Sequence, residues 1–290
     1  MSWFGLSLVC MLLCCFKTIL AKRLLRTMEP VAFSLCDQLA IVVCLSPLIV
    51  RAPWSRLDAD FWLFMLALIL PSMLGVVALS QATKLGEMSE VSPLLIFLPV
   101  FVAVSGHVFF HEELSAWGWF GIALVGLGGY LLKLESFRRP WVPIIRFYTD
   151  PGARFVWVAI VLGVWTTHIQ KLLVVSYDPF LTLFCNSLGI CLCLIPSFLR
   201  RYPGIQSWRP LWAEQKTWLV LLGLVSSGSA LSQFLAYSEG GNAAVVMSIK
   251  RLSVILISLY GMKILRESGG FAKAGGIFMM TLGGIYLYMS

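Results

Sequence analysis

The sequence predicts an all-α membrane fold: a polytopic protein of ten transmembrane helices arranged as two inverted five-helix repeats. Three observations predict it. Of the 290 residues 59% are hydrophobic and 12% charged, about half the charged share of a soluble domain. Apolar runs near the length needed to cross a bilayer, about 20 residues at about 1.5 Å each, recur along the whole chain. Residue patterns in the first half return in the second at nearly constant spacing.

The runs lie near 3–21, 31–50, 61–80, 91–110, 117–134, 155–175, 179–199, 217–237, 243–263 and 271–289. The first has no basic stretch before it and no small-residue cleavage site after it, so it reads as a retained span. Most connections are short. The longest, 135–154, carries Arg138, Arg139, Arg146 and Arg154 with several prolines. It divides the chain into a first repeat (1–135), a linker (136–154) and a second repeat (155–290).

Lys22, Pro30, Asp37 and Pro47 return as Lys171, Pro179, Asn186 and Pro196, each 149 residues on. Ser80-Gln81 returns as Ser232-Gln233 at 152, and Glu112, Gly121, Gly128 and Gly129 as Glu267, Gly276, Gly283 and Gly284 at 155. The drift in spacing fits small loop insertions. An odd number of spans per half sends the second half through the membrane upside down, a plan that places a solute near the midplane between the halves.

The doubled motifs carry a family resemblance. Residues 92–99 with Pro93 and Pro99, then Glu112-Glu113, Gly121 and Gly128-Gly129, are followed by a second copy in Ser248 to Ser253, Arg266-Glu267, Gly276 and Gly283-Gly284. The chain resembles the EamA-type ten-span transporters of the drug/metabolite transporter superfamily along nearly its whole length. The resemblance implies a helical bundle working by alternating access around a site lined by spans 1, 3, 4, 6, 8 and 9. The Lys250-Arg251 step is also similar to one that holds phosphate in sugar-phosphate translocators. That match is partial, because Leu95 stands where those proteins have a second lysine.

Lys250 and Arg251 are the strongest candidate residues. Each charge near a bilayer centre costs about 2.5–3.5 kcal/mol on the insertion scale, so two adjacent ones imply a protein interior or a wet path. About 100° of helix separates them, which predicts divergent side chains. Arginine, permanently charged, is the better anion contact. The further candidate substrate-binding residues are Gln81 and Gln233, whose amides both donate and accept; Lys17, on a helical stripe with Ser7, Cys10 and Cys14; and Trp165 and His168. Gln81 and Gln233 serve equally as glue between helices. Asp37 is the acid well inside a span.

No catalytic residue, metal site or cofactor is expected. The eight cysteines fall in apolar runs without paired ligand spacing, and no phosphate-cradling glycine loop occurs. The net charge of +8 sits between apolar segments, where it marks topology and lipid headgroups rather than a nucleic-acid partner. Lys and Arg cluster after odd-numbered spans, which puts both termini outside the cell; the resemblance implies cytoplasmic termini. The expected partners are the lipid bilayer and a small-molecule substrate. The expected place is the cell membrane, multi-pass, the inner membrane in a bacterium. The sequence thus reads as a secondary transporter of a small polar metabolite, with an anion as the finer expectation. An exporter of drugs or amino acids and a non-transporting scaffold or sensor are the alternatives.

Overall fold

A computed structural model describes residues 2–50, 52–85, 95, 97–131, 151–203, 205–257 and 271–289. Arg266, Glu267, Ser92, Pro93 and most of the linker lie outside them. The described residues form helices and no strand: α1 (Trp3–Leu24), α2 (Pro30–Ile49), α3 (Ala59–Leu85), α4 (Phe97–Phe110), α5 (Ala116–Leu131), α6 (Pro151–Ser176), α7 (Pro179–Arg201), α8 (Ile205–Ser238), α9 (Ala243–Arg251) and α10 (Phe271–Tyr288). Six of these hold a stretch long and apolar enough to cross a membrane: α1, α2, α3, α6, α7 and α8.

Local chemistry sets the helix starts. Proline opens both α2 and α7 at the first helical position, where its missing N–H is no loss. The Asp178 side chain caps α7 by accepting the Leu181 N–H at 2.9 Å, and Asn242 caps α9 through the Ala244 N–H at 2.9 Å. The basic pairs Lys22-Arg23 and Arg200-Arg201 occupy the last turns of α1 and α7, favourable against the helix dipole.

Two elements differ from their sequence expectations. The eighth span begins earlier, because α8 runs from Ile205; hydropathy marks only the lipid-crossing part, while residues such as Glu214, Gln215 and Lys216 continue a helix well. The ninth span is interrupted. α9 stops at Arg251, Leu252 forms a turn bonded to the Ile249 carbonyl at 3.0 Å, and helix resumes at Ser253.

The outer surface differs from that of a soluble protein. Large apolar side chains face outward, among them Val43, Leu63, Leu66 and Val161, while Ser7, Ser34, Asp37, Asn186, Ser226 and Ser248 are buried. Lipid is the matching solvent for such a surface. Inside, α5 lies along α10, α3 along α6, α1 along α8, and α2 along α7; α4 meets α6 and α9, and α9 meets α1.

The α5–α10 contact is backbone on backbone. A Cβ on Gly121 would come 2.9 Å from the Gly283 carbonyl oxygen, and one on Gly128 2.7 Å from that of Gly276. Only glycine admits this approach. Because 121 meets 283 while 128 meets 276, the two helices run antiparallel.

Candidate functional site

The described polar interior gathers around α1, α8 and α9. Lys250 donates to Gln233 Oε1 at 2.6 Å, and Gln233 Nε2 donates to the hydroxyl of the buried Tyr237 at 3.1 Å. Gln233 and Tyr237 sit one turn apart on α8, the spacing at which helix side chains meet. The lysine is therefore held by an amide that a tyrosine orients.

Arg251 is different. Among the described residues it has no hydrogen-bond or ion-pair partner, and its Nε is shielded from solvent. Its guanidinium lies within electrostatic reach of Cys14, Cys10 and Tyr237. Lys250 reaches Cys10 as well. The two basic side chains thus have different surroundings: Lys250 is bonded to Gln233 of α8, while no hydrogen bond among the described residues holds Arg251.

One helical turn beyond Cys14, Lys17 forms an ion pair with Asp37 of α2 at 2.9 Å. Ser226 of α8 donates to the other carboxylate oxygen, Oδ1, at 2.5 Å. Asp37 is 2% exposed and Lys17 32%, so the acid is enclosed and the base partly open. On α1, Cys10 meets Ser229 of α8. Among the described residues, Lys17 is the base that pairs with the buried Asp37, while Lys250 and Arg251 make no ion pair.

A second cluster joins the end of α4 to α6 and to the start of α9. Glu112, just after α4, accepts from Lys171 of α6 at 2.9 Å and from Asn242, the cap of α9, at 3.1 Å. His168 joins it from α6, with Nε2 and the Ser105 hydroxyl 2.8 Å apart and its ring stacked on Phe110 at 4.4 Å.

The remaining candidates fall elsewhere. Trp165 is 52% exposed and donates its indole N–H to the Ala67 carbonyl of α3 at 3.1 Å, which ties α6 to α3 on the outer surface. Gln81 is half-buried on α3, and no hydrogen bond among the described residues joins it to Lys250 or Arg251. Its neighbour Ser80 meets Ser34 of α2 at 2.9 Å. Of the sequence candidates, then, Lys250 and Gln233 are bonded to each other, Arg251 lies within electrostatic reach of the same Tyr237, and Lys17 is paired separately with Asp37; His168, Trp165 and Gln81 do not join them. Sequence reasoning missed Ser226, Tyr237 and Asn242. Asn242 was findable as a cap before an apolar run, and Tyr237 by its spacing from Gln233. Ser226 carried no signal, since only the fold brings α8 against α2.

Comparison with known proteins decides the family. Residues 1–134 match the EamA-like transporter family. A protein named as an uncharacterized transporter in the cobO 3' region of a Sinorhizobium species is 30% identical over 107 residues, 35% of this chain and 76% of that one. The chain belongs to the EamA-like transporter family. A protein of known crystal structure shares the fold of this EamA-like chain with a TM-score of 0.73, over 99% of this chain and 96% of its own, at 13% identity. Family and outward apolar surface together make the protein a multi-pass membrane protein of transporter type. The family points away from an enzyme, and Ser227, in a Ser-Gly-Ser run within α8, donates to the Gly223 carbonyl at 2.6 Å.

Proposed function

We propose that this EamA-like protein is a secondary transporter of a small anionic metabolite, working by alternating access of two inverted five-helix halves. The observation that carries the anionic reading is Arg251. A guanidinium placed inside a membrane protein with no partner among the described residues is costly to keep, and an arriving carboxylate or phosphate would compensate it by charge-assisted hydrogen bonds. Lys250, oriented by Gln233 and Tyr237, supplies a second donor. A cationic drug would meet repulsion there.

The packing supports the inverted halves. Exchanging each helix of α1–α5 with its counterpart in α6–α10 maps the principal contacts onto one another: α3–α6 onto α8–α1, α4–α6 onto α9–α1, and α5–α10 and α2–α7 onto themselves. The glycine contacts obey the same exchange, because Gly121 and Gly283 are the counterparts of Gly276 and Gly128. Ten spans in two halves, 1–135 and 155–290 with a linker between, account for that pattern. In this reading the halves rock about the space beside α1, with the Glu112–Lys171–Asn242 cluster closing one end.

Uptake into proteoliposomes tests the reading. Flux of a small dicarboxylate or phosphorylated metabolite should fall at least about tenfold in Arg251→Ala, the loss expected for removing one charge-assisted contact worth about 1.4 kcal/mol or more. Arg251→Lys should retain part of it. Equal flux in wild type and Arg251→Ala would overturn the assignment, and absence of flux with every metabolite would favour a scaffold or sensor.

A further inference from the structure

The two ends of the bundle carry opposite charge. Four contacts define one end. Lys22 donates to the Thr83 carbonyl at 3.1 Å and Lys84 to that of Met28 at 3.2 Å; Arg201 pairs with Glu29 at 2.9 Å, and the Arg23 guanidinium lies 3.8 Å from the centre of the Trp218 ring. Arg26, Arg200 and Lys216 add exposed bases there, against Glu29 as the acid among the described side chains. The opposite end, where Tyr177 meets Asp58 and Glu112 meets Lys171 and Asn242, also carries Asp60, Glu113, Asp178 and Glu239.

At the basic end Glu29 is taken by Arg201. Arg23 and Arg26 are exposed, and neither has an ion pair or a side-chain hydrogen bond among the described residues. The Arg26 N–H lies 3.4 Å from the Arg23 carbonyl, so the two follow one another around a single turn. The Trp218 indole holds one face of the Arg23 guanidinium. The planar edge, whose N–H groups match phosphate, is left open.

Arg23 also heads an apolar seam. α1 and α8 run antiparallel, because Cys10 meets Ser229 while Arg23 meets Trp218. At about 3.6 residues per turn, positions 12, 16 and 23 share one face of α1. Leu12 and Phe16 are exposed on it, and Leu221 is exposed on α8 one turn from Trp218. From Leu12 to Arg23 the stripe rises about 16 Å at about 1.5 Å per residue, near half of a hydrocarbon core about 30 Å thick.

We propose that the α1–α8 seam binds one anionic phospholipid. Its phosphate takes the open edge of Arg23 with Arg26 beside it, and an acyl chain lies along Leu12, Phe16 and Leu221. Trp218, half-buried under the guanidinium, stands at headgroup level, where indole is favoured in membranes. A zwitterionic lipid brings its own cation against the same two bases and binds less well. A free anion meets the bases and gains nothing from the seam. This site is independent of the cargo proposed above.

Native mass spectrometry of the full chain in nonionic detergent tests it, with phosphatidylglycerol and phosphatidylcholine of identical acyl chains as probes. Wild type should retain one phosphatidylglycerol at a concentration about tenfold below that needed for phosphatidylcholine, the factor one charge-assisted contact supplies. Arg23→Gln, a change at an exposed side chain, should bring phosphatidylglycerol to the phosphatidylcholine level. Phe16→Ala should weaken both lipids alike. Arg154→Gln, which removes an exposed base on α6 at the same end, should leave the preference intact. Equal retention of the two lipids by wild type overturns the site, as does unchanged binding in Phe16→Ala. A loss in Arg154→Gln as large as in Arg23→Gln would mean diffuse attraction by the whole basic end and no seated lipid. Inorganic phosphate and glycerol 3-phosphate should fail to displace the lipid at equal concentration; displacement would make this a site for soluble anions and refute the lipid assignment.

Discussion

In the two-half reading proposed above, the halves share a scaffold and differ in chemistry. At the middle of α2, Asp37 is enclosed and compensated by Lys17 and Ser226. At the matching place in α7, Asn186 is equally buried, and its Oδ1 has no partner among the described residues. The counterpart of Lys17 is Thr166, whose hydroxyl donates to the Gly163 carbonyl of its own helix at 3.2 Å. The bias reverses in the fourth helix of each half. Lys250 and Arg251 lie on α9, whereas the matching positions, 95 and 96, are Leu and Ile. On that reading, what packing needs recurs in both halves, prolines at helix starts and glycines at the close crossing, while the charged groups differ. The proposed site would then draw on unlike contributions: an acid and a lysine from one half, two bases from the other.

The sharpest way to break that comparison is to make the halves alike. Asn186→Asp would place an acid where no described cation compensates it, at a cost of about 3–5 kcal/mol at neutral pH. Lys17→Ala should cost about 3 kcal/mol, the low end of that range, because Ser226 still bonds Asp37 and the lysine is partly open. Asp37→Asn should cost less than either, since the freed lysine can reach water along its stem. Thermal unfolding in one detergent ranks the three. Asn186→Asp as mild as Asp37→Asn would show that a cation already compensates the second half.

The glycine crossing gives the next effect. Gly128→Ala drives a methyl against the Gly276 carbonyl and should destabilise by about 1–3 kcal/mol. Gly275→Ala, where nothing lies within 4 Å, should stay within about 0.5 kcal/mol of wild type. Equal melting temperatures for the two variants would refute the antiparallel backbone contact that relates the halves.

The smallest expected effect lies outside the spans, where Tyr177 at the end of α6 donates to Asp58 ahead of α3. The hydrogen bond from the phenol holds the Asp58 carboxyl below the usual range, and the same bond pushes Tyr177 up to about 12. The sign follows for each group. A depressed acid stabilises the fold above its ordinary pKa and loses that contribution as pH falls through the folded value; a raised phenol stabilises below its ordinary value near 10 and loses it toward about 12. The clasp is therefore closed across neutral pH. Titration of tyrosinate absorbance should show a phenol ionising near 12 that is lost in Tyr177→Phe and moves toward the ordinary value in Asp58→Asn, with melting temperatures at pH 7 changed only slightly. A Tyr177 titrating with the other tyrosines would remove the contact.

Much of this was legible before any coordinates. Hydropathy marked the lipid-crossing stretches because each segment's own composition sets its transfer energy. Pro30 and Pro179 announced helix starts because proline acts on its own backbone. The candidate site was less legible. Lys250-Arg251 stood out because charge in an apolar run is locally anomalous. That Lys250 would be held by Gln233 while Arg251 has no partner among the described residues was hidden, since it depends on how α8 packs beside α9. Trp165 looked like a cavity residue by its neighbours Thr166 and His168, yet it faces outward, because which side of α6 is covered depends on where α3 packs.

By itself, then, the sequence determined the membrane class, the helix-starting prolines and the doubled pattern of prolines, glycines and acids, all consequences of interactions a few residues long or of simple recurrence. Only the tertiary structure decided that Asp37 is compensated, that Arg251 has no partner among the described residues, and that Glu112 joins α6 to α9. Those facts turn on contacts between residues as far apart as Asp37 and Ser226, and an ion's energy in a membrane interior is set by what packs within a few ångströms of it.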